Sequence, residues 1–315
     1  MKIIKLSDLS KKNYQRIICR SSFANKDIIP QVKRIMSNVK TCGDRVILEK
    51  YQKRYGQENY KSIQVSKDEI KKAYKNVDRQ FLNSISQMIK NITAVHQAQL
   101  PKKKDTVIYP EKGISVWRVW RPVEKVGLYI PGGKAIYPSS VLMSAIPAQI
   151  AGCREIVMCS PPGSDGQIPA ATLVTADMTG LAEIFKVGGA EAIAALIYGT
   201  KSIPKVYKIF GAGNSYVTAA KMLAMEEIAI DMPAGPSEIF IIADETANPS
   251  YIAADLLADG EHGEDSACVL LTTSWEIANQ TGREIEKQLN KLFTRDRASE
   301  SLKRYGLIGV VDSLD

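Results

Sequence analysis

The residues best suited to chemistry lie in the segment DLLADGEH, residues 255–262. Asp255, Asp259 and His262 are spaced at i, i+4 and i+7, so a helix would place all three on one face. Carboxylate oxygen and imidazole nitrogen suit Zn²⁺ or Mn²⁺, and a cation would relieve the repulsion among acidic groups near a helix C-terminus. The pattern predicts a cation site that other ligands must complete. The alternative is a solvated acidic helix end with a surface histidine.

Glycine-containing turns follow four apolar runs of the sequence. They are PGG at 131–133, GG at 188–189, GAGN at 211–214 and GPS at 235–237. In an open α/β sheet, ligands bind at the carboxyl ends of the strands, where glycine permits close backbone approach and helix N-termini offer N–H groups. Together the turns predict a shared ligand crevice. For any single turn, the alternative is a glycine that only satisfies local backbone geometry.

None of these turns is a complete nucleotide-binding motif. GAGNSY at 211–216 has tyrosine where the third glycine of a dinucleotide fingerprint belongs, and no GxxxxGK[ST] loop occurs. Asp231 follows near the spacing of a ribose-binding acid, a weak match by itself. The second histidine of the chain, His96, is interpreted as structural. Because no GxSxG elbow surrounds Ser237, Ser-His-Asp hydrolysis has little support.

Regular structure must position these residues, and the rhythm of the sequence from residue 126 onward indicates which kind. Short apolar runs alternate with helix-length segments, as in a parallel sheet with helices on its faces. The strand candidates are 126–130, 155–160, 183–187, 208–210, 229–232, 238–244, 267–273 and 307–311. The helix candidates between them include 139–152, 170–180, 214–227 and 249–262. We predict an α/β fold with two Rossmann-like parallel-sheet units.

A helical N-terminal region should precede these units. Residues 1–100 show apolar side chains at three- and four-residue steps, whereas 107–130 is rich in β-branched and aromatic residues and predicts a strand-rich bridge. The expected domains are 1–125, 126–236 and 237–315. We expect the last to be an incomplete α/β unit, because the chain stops soon after its final strand.

Composition limits the class of protein. The 315 residues are 45% hydrophobic and 24% charged, which excludes collagen-like, low-complexity and wholly disordered chains. With no membrane-length apolar run, no secretory signal and five scattered cysteines without a CxxC pair, we expect a reduced, cytoplasmic protein that spans no membrane. Residues 1–125 hold 28 Lys and Arg against 11 Asp and Glu. We interpret this excess as a solvated lysine-rich helical surface; the alternative, nucleic-acid binding, is not expected.

Five strings of the sequence point to one family. They are VGLYIPGG, YPSSVLMSAIPAQIAGC, VGGAEAIAALIYGT, KIFGAGN and IDMPAGPSEIFIIADETANP. Together they resemble the histidinol dehydrogenase family, collinearly through nearly all of 115–311 and more loosely in the N-terminal helices. The resemblance implies oxidation of L-histidinol to L-histidine through an aldehyde, with two NAD⁺ and a zinc ion that holds the amino alcohol substrate. It also implies an intertwined homodimer.

The resemblance assigns six residues of this chain to the site. The NAD-contacting positions are Tyr129, Glu191 and Asn214. The substrate-contacting positions are Ser237, Asp259 and His262. Asp259 and His262 are also the expected zinc ligands, in agreement with the cation site inferred from their spacing.

The sequence departs from the family pattern at three of these motifs. Glu191 and Asp259 each replace a glutamine, and Ala212 replaces a proline. Asp259 can still bind zinc, although its shorter side chain would move the ion, and Glu191 would bring negative charge close to the phosphates of NAD. A different alcohol substrate is therefore an alternative.

A larger departure is an absence. The family's catalytic Glu-His pair, in an Asn-x-x-x-Pro-Glu-His-Leu segment, and its remaining zinc ligands have no counterpart here, so we assign no catalytic residue to this chain. The sequence therefore resembles a C-terminally truncated member. A further alternative is a non-catalytic relative that binds NAD, metal or a partner.

Overall fold

The computed structural model of the protein describes residues 1–18, 28–56, 60–101, 106–132, 136–234 and 236–313. Gly133 and Gly235, which belong to two of the glycine turns, lie outside the described residues. The chain divides into two compact units. We call Asp27–Ala234 the larger unit, and Met1–Lys26 with Gly235–Asp315 the smaller unit.

The described elements follow one another in the α/β order that the sequence predicts from residue 126 onward. The strands are β1 (Lys2–Lys5), β2 (Lys125–Tyr129), β3 (Glu155–Cys159), β4 (Glu183–Phe185), β5 (Lys208–Phe210), β6 (Ala229–Ile230), β7 (Glu238–Ala243), β8 (Ala267–Thr272) and β9 (Gly306–Val310). The helices are α1 (Lys11–Ile18), α2 (Ile29–Cys42), α3 (Asp44–Tyr55), α4 (Lys67–Tyr74), α5 (Arg79–Ala98), α6 (Pro138–Ala151), α7 (Ala170–Met178), α8 (Gly189–Tyr198), α9 (Ser215–Ala224), α10 (Pro249–Gly260), α11 (Trp275–Leu289) and α12 (Arg295–Tyr305). Among the described residues, no helix has both the length and the apolar character needed to cross a bilayer.

The sheet of the larger unit is parallel, with the strand order β4-β3-β2-β5-β6. The chain leaves β2 for β3 and β4 on one side and then returns to β5 on the other side. This order reverses between β2 and β5, and ligands bind at such a switch point, outside the carboxyl ends of the two strands. The predicted α/β fold with Rossmann-like parallel sheets is confirmed.

Each face of this sheet carries its own apolar core. Val157 and Cys159 of β3 pack with α2, α3, α8 and α9, whereas Met158 between them packs with α4, α6 and α7. The alternation follows from the strand period of two, and burial on both faces explains why the strands are continuous apolar runs rather than alternating ones. Helices α2, α3 and α4, from the region predicted to be helical, therefore cover the sheet of the larger unit.

The segment before β2 differs from the prediction. Instead of a strand-rich bridge, described residues 106–124 form no strand and contain only isolated bridge residues, among them Ile108 and Val116, which pair antiparallel. The large apolar side chains of this segment are exposed, including Trp117 at 46% and Trp120 at 47%. β-Branched and aromatic residues favour a strand only where a neighbouring strand and a packing surface exist, and the large apolar side chains of this segment are exposed instead of packed.

The sheet of the smaller unit is also parallel, with the order β1-β9-β8-β7. β1 lies at its edge, where Lys2–Lys5 pair in register with Leu307–Val310. From the sequence we expected these first residues to belong to a helical region. The prediction was wrong there because the partner that makes the KIIK segment a strand lies at the far end of the chain. Helices α10, α11 and α12 pack against β7, β8 and β9 around Leu256, Leu270 and Ile308.

Candidate functional site

Tyr129 lies where the predicted crevice of the larger unit should be, at the carboxyl end of β2. Its side chain is buried, and its hydroxyl accepts a hydrogen bond from the Gly189 N–H at 3.2 Å. Burial raises the pKa of Tyr129 to about 12, so the phenol is protonated at neutral pH. Its carbonyl oxygen faces Gly211, where a Cβ would stand only 2.0 Å away. Tyr129 therefore contacts two of the predicted glycine turns.

The GAGN turn has a geometry that requires its first glycine. Gly211 has φ +116°, a conformation that side chains oppose, and its N–H donates to Asp231 Oδ2 at 2.8 Å. Asn214 caps α9, because its Oδ1 accepts from the N–H groups of Tyr216 and Val217 at 3.1 and 3.2 Å. The turn thus presents a capped helix N-terminus beside the end of β5.

A buried lysine holds this turn in place. Lys221 of α9 is 1% exposed, and its Nζ donates to the carbonyl oxygens of Gly211 and Met232 at 2.7 and 3.2 Å and also to Asp231. The spacing of Asp231 weakly matched a ribose-binding acid. In the structure its carboxylate instead accepts hydrogen bonds from Lys221 and from the Gly211 N–H. In this structure the acid supports the turn.

The turn before α8 is packed as closely. A Cβ on Gly188 would stand 2.4 Å from Pro161, which lies in the turn after β3, and Gly132 lies close to the same proline. Glu191 follows in the first turn of α8 with 4% exposure, and Lys50 Nζ donates to its Oε1 at 2.5 Å. The glycine turns after β2, β4 and β5 therefore lie along one edge of the sheet. The fourth predicted turn, at 235–237, includes Gly235, which is outside the described residues, so the shared crevice stays a prediction.

The second group of predicted residues lies in the smaller unit. Ser237 precedes β7, and its Oγ lies 3.2 Å from His262 Nδ1; Asp259 Oδ1 lies 3.4 Å from the same nitrogen. The structure thus brings Ser237, Asp259 and His262 together. Because serine and carboxylate meet one ring nitrogen, this is not a relay of the Ser-His-Asp type, which needs both nitrogens.

The geometry behind this contact differs from the prediction. Helix α10 ends at Gly260, so His262 lies in the turn beyond it and reaches Asp259 from there. A single helical face that carries Asp255, Asp259 and His262 is not formed, because the last of the three is outside the helix.

The donor set fits part of a zinc site. Asp259 offers carboxylate oxygen and His262 offers imidazole nitrogen, both ordinary zinc ligands, and their side chains are 29% and 51% exposed. Within the described ranges, no group of three or more His, Cys, Asp or Glu side chains could hold a metal ion. A catalytic zinc site has three protein ligands, so Asp259 and His262 could supply at most two of them.

Sequence reasoning missed the lysines that support these residues. Lys50 lies 141 positions from Glu191, so no local pattern links them. Lys221 had a usable signal: it is a charged residue in the apolar helix SYVTAAKMLA. A lysine in such a helix is buried only when it is paired.

Known proteins match almost the whole length of the chain. A family model described as Histidinol dehydrogenase matches residues 18–315. A histidinol dehydrogenase of Bacteroides fragilis is 46% identical over 315 residues, which is 99% of this chain and 72% of that protein. One of Methanothermobacter thermautotrophicus is 40% identical over 313 residues, 99% of this chain and 73% of that protein.

A solved structure shares the fold. The crystal structure of histidinol dehydrogenase from Elizabethkingia anophelis superposes with a TM-score of 0.87 at 40% sequence identity, and the match covers 100% of this chain and 71% of that one. The similarity therefore extends through both units. The chain belongs to the histidinol dehydrogenase family, a family of oxidoreductases.

Proposed function

We propose that this protein takes part in the NAD-dependent, zinc-containing oxidation of L-histidinol to L-histidine through the aldehyde. The observation that carries the proposal is the switch point of the larger sheet between β2 and β5, where we place the crevice. Tyr129 ends β2, Glu191 lies in the first turn of α8 and Asn214 caps α9 beside it. Family membership supports the reaction class, and a switch point of this kind is where open α/β sheets bind dinucleotides.

The larger unit is assigned to NAD. Helices α8 and α9 begin beside the crevice, and helix N-termini favour the negative charge of a pyrophosphate. The buried Tyr129 phenol fixes the Gly189 backbone, while the Asn214 cap orders the start of α9. These contacts hold the crevice in shape before any ligand enters, which lowers the ordering cost of binding.

The smaller unit is assigned to the amino alcohol and zinc. Contact with Ser237 and Asp259 at Nδ1 orients the His262 ring, so Nε2 is the nitrogen that would bind the metal. Asp259 has a second carboxylate oxygen to offer. When bound, NAD⁺ would accept hydride and zinc would polarise the substrate. The chain's own residues orient and bind in this scheme; none of them is assigned as the general base.

The test is incubation of a version extended to full family length with L-histidinol, NAD⁺ and Zn²⁺, with NADH followed by fluorescence and L-histidine by chromatography. Histidinol-dependent formation of both products is the expected result for the proposed reaction. Saturable NAD⁺ and Zn²⁺ binding without turnover would favour the alternative of a non-catalytic relative, and turnover of another alcohol would favour a changed substrate. Failure to bind NAD⁺ would refute the dinucleotide assignment.

We also propose a cytoplasmic homodimer. The exposed aromatic and β-branched side chains of residues 106–124 support it, because an apolar surface of this kind is typical of a protein interface. Light scattering after size exclusion should give twice the mass of one chain. Trp117→Ser with Trp120→Ser should shift the molecule to a monomer, and a monomeric unmodified protein would contradict the proposal.

A further inference from the structure

The first turn of α8 contains a buried carboxylate paired with a lysine from another helix. Glu191 has 5% of its side chain exposed, and Lys50 of α3 donates to its Oε1 at 2.5 Å. Its Oε2 lies 3.1 Å from the position that a Cβ on Gly189 would take. The carboxylate therefore lies over the backbone of the glycine turn, beside the proposed dinucleotide crevice.

Tyr51, the residue after Lys50, forms hydrogen bonds with the backbone of the same turn. The Tyr51 hydroxyl accepts a hydrogen bond from the Gly188 N–H at 2.8 Å and lies 3.3 Å from the Gly188 carbonyl oxygen, to which it donates. Two consecutive residues of α3 thus fix the start of α8. Tyr51 binds the backbone of Gly188, and Lys50 pairs with the buried carboxylate of Glu191. Helix α3 forms part of the support of the crevice.

The charge of this pair matters for an anionic ligand. A buried carboxylate without a partner would repel a pyrophosphate at the helix N-terminus and oppose the attraction that the N–H groups offer. Lys50 leaves the pair with no net charge. Because 49% of the Lys50 side chain is exposed, its ammonium group also adds positive charge at the surface of this part of the larger unit.

We propose that Lys50 is a positioning and charge-compensating residue for dinucleotide binding, and that its ion pair is what makes Glu191 compatible with a phosphate-bearing ligand. The inference rests on the proposed function, because it needs NAD to bind at the ends of α8 and α9. It assigns to a residue of the N-terminal helices a direct effect on cofactor affinity.

The test is a double-mutant cycle on the affinity for NAD⁺, measured by isothermal titration calorimetry. Lys50→Met should weaken binding by about tenfold, because it leaves the Glu191 charge uncompensated. Glu191→Gln should tighten binding by about threefold although it removes a hydrogen bond, because Lys50 then faces the phosphates alone. The double variant should bind within about twofold of the unmodified protein, since the pair is again neutral.

Two further measurements separate this role from a merely structural one. The effect of Lys50→Met on NAD⁺ affinity should shrink as salt is raised, since screening acts over about 10 Å at 0.1 M. Lys40→Met is the matched control: Lys40 forms an ion pair with Glu227 at 3.6 Å on the same unit, and its loss should leave NAD⁺ affinity unchanged.

The possible results are distinguishable. If the unmodified chain binds no NAD⁺, the proposed function fails. If it binds NAD⁺ but Glu191→Gln weakens binding, or the double variant binds no better than Lys50→Met, the role of Lys50 is refuted while the proposed function stands. Thermal unfolding of each variant shows whether affinity simply follows stability, which would also overturn the inference.

Discussion

Replacement of the buried Lys221 by methionine tests the support of the GAGN turn. The substitution keeps the length and apolar stem of the side chain but removes the ammonium group. The carbonyl oxygens of Gly211 and Met232 then lose this donor, and Asp231 loses its ion-pair partner. The perturbation is confined to the polar contacts, because methionine fills nearly the same space.

The size of the effect follows from the burial of both partners. Removal of one partner of a buried ion pair typically costs about 3 to 5 kcal/mol. The lysine is fully buried, but 27% of the Asp231 side chain is exposed, so water partly solvates the carboxylate that remains. We therefore expect the low end, a loss of about 3 kcal/mol in the free energy of unfolding, against a total of about 5 to 15 kcal/mol for a domain.

Urea denaturation followed by circular dichroism measures this loss. Lys201→Met, at an exposed lysine of the same unit, is the control and should change the free energy of unfolding by less than about 0.5 kcal/mol. Adding Asp231→Asn to the Lys221→Met variant should recover part of the loss, because it removes the unpaired charge. A Lys221→Met protein as stable as the control, or a double variant less stable than Lys221→Met, would refute the reasoning.

Three other predictions concern the larger unit. Gly211→Ala should destabilise it by more than about 2 kcal/mol in urea denaturation, because a Cβ would stand 2.0 Å from the Tyr129 carbonyl oxygen at φ +116°. Burial raises the pKa of the Glu69 carboxyl, but the hydrogen bonds from Lys186 and from the N-terminus of α4 outweigh burial and hold this pKa below the ordinary 4.5. The stabilisation from these bonds is present above pH 4.5 and is lost on acidification. The free energy of unfolding measured from pH 5 to 3 should therefore fall less steeply in Glu69→Gln. Burial raises the pKa of Cys159 far above its usual range, so iodoacetamide should label it only after unfolding, and labelling of the folded protein would contradict its burial.

Local pattern was sufficient for the strands after residue 126 and for the structural position of several candidate site residues, although the resemblance assigned their roles. Tyr129 ends a strand and Asn214 caps a helix, and both positions can be read from neighbouring residues. The contact between Asp259 and His262 was also expected, although a turn forms it rather than a helical face. Such features depend on a few consecutive residues, which is why the sequence predicts them.

The features that were missed depend on residues far apart in the chain. β1 is a strand only because β9 lies beside it, and the Lys50 to Glu191 pair joins helices separated by the first three strands of the larger sheet. Residues 106–124 contain large apolar side chains, as the sequence shows, but their exposure could not be predicted from composition. Propensity describes what a segment can form, and distant partners decide whether it does.

The pairing of β1 with β9 also sets an order for folding during synthesis. The smaller unit is assembled from both ends of the described chain, whereas the larger unit is one continuous insert. At about 5 to 20 residues per second, roughly 15 to 60 seconds pass between the emergence of β1 and that of β9. The larger unit can fold in that interval, whereas β1 stays unpaired until β9 has been synthesised. Nascent chains arrested before residue 306 should therefore contain a protease-resistant larger unit and a protease-sensitive N-terminus, and early protection of β1 would contradict this order.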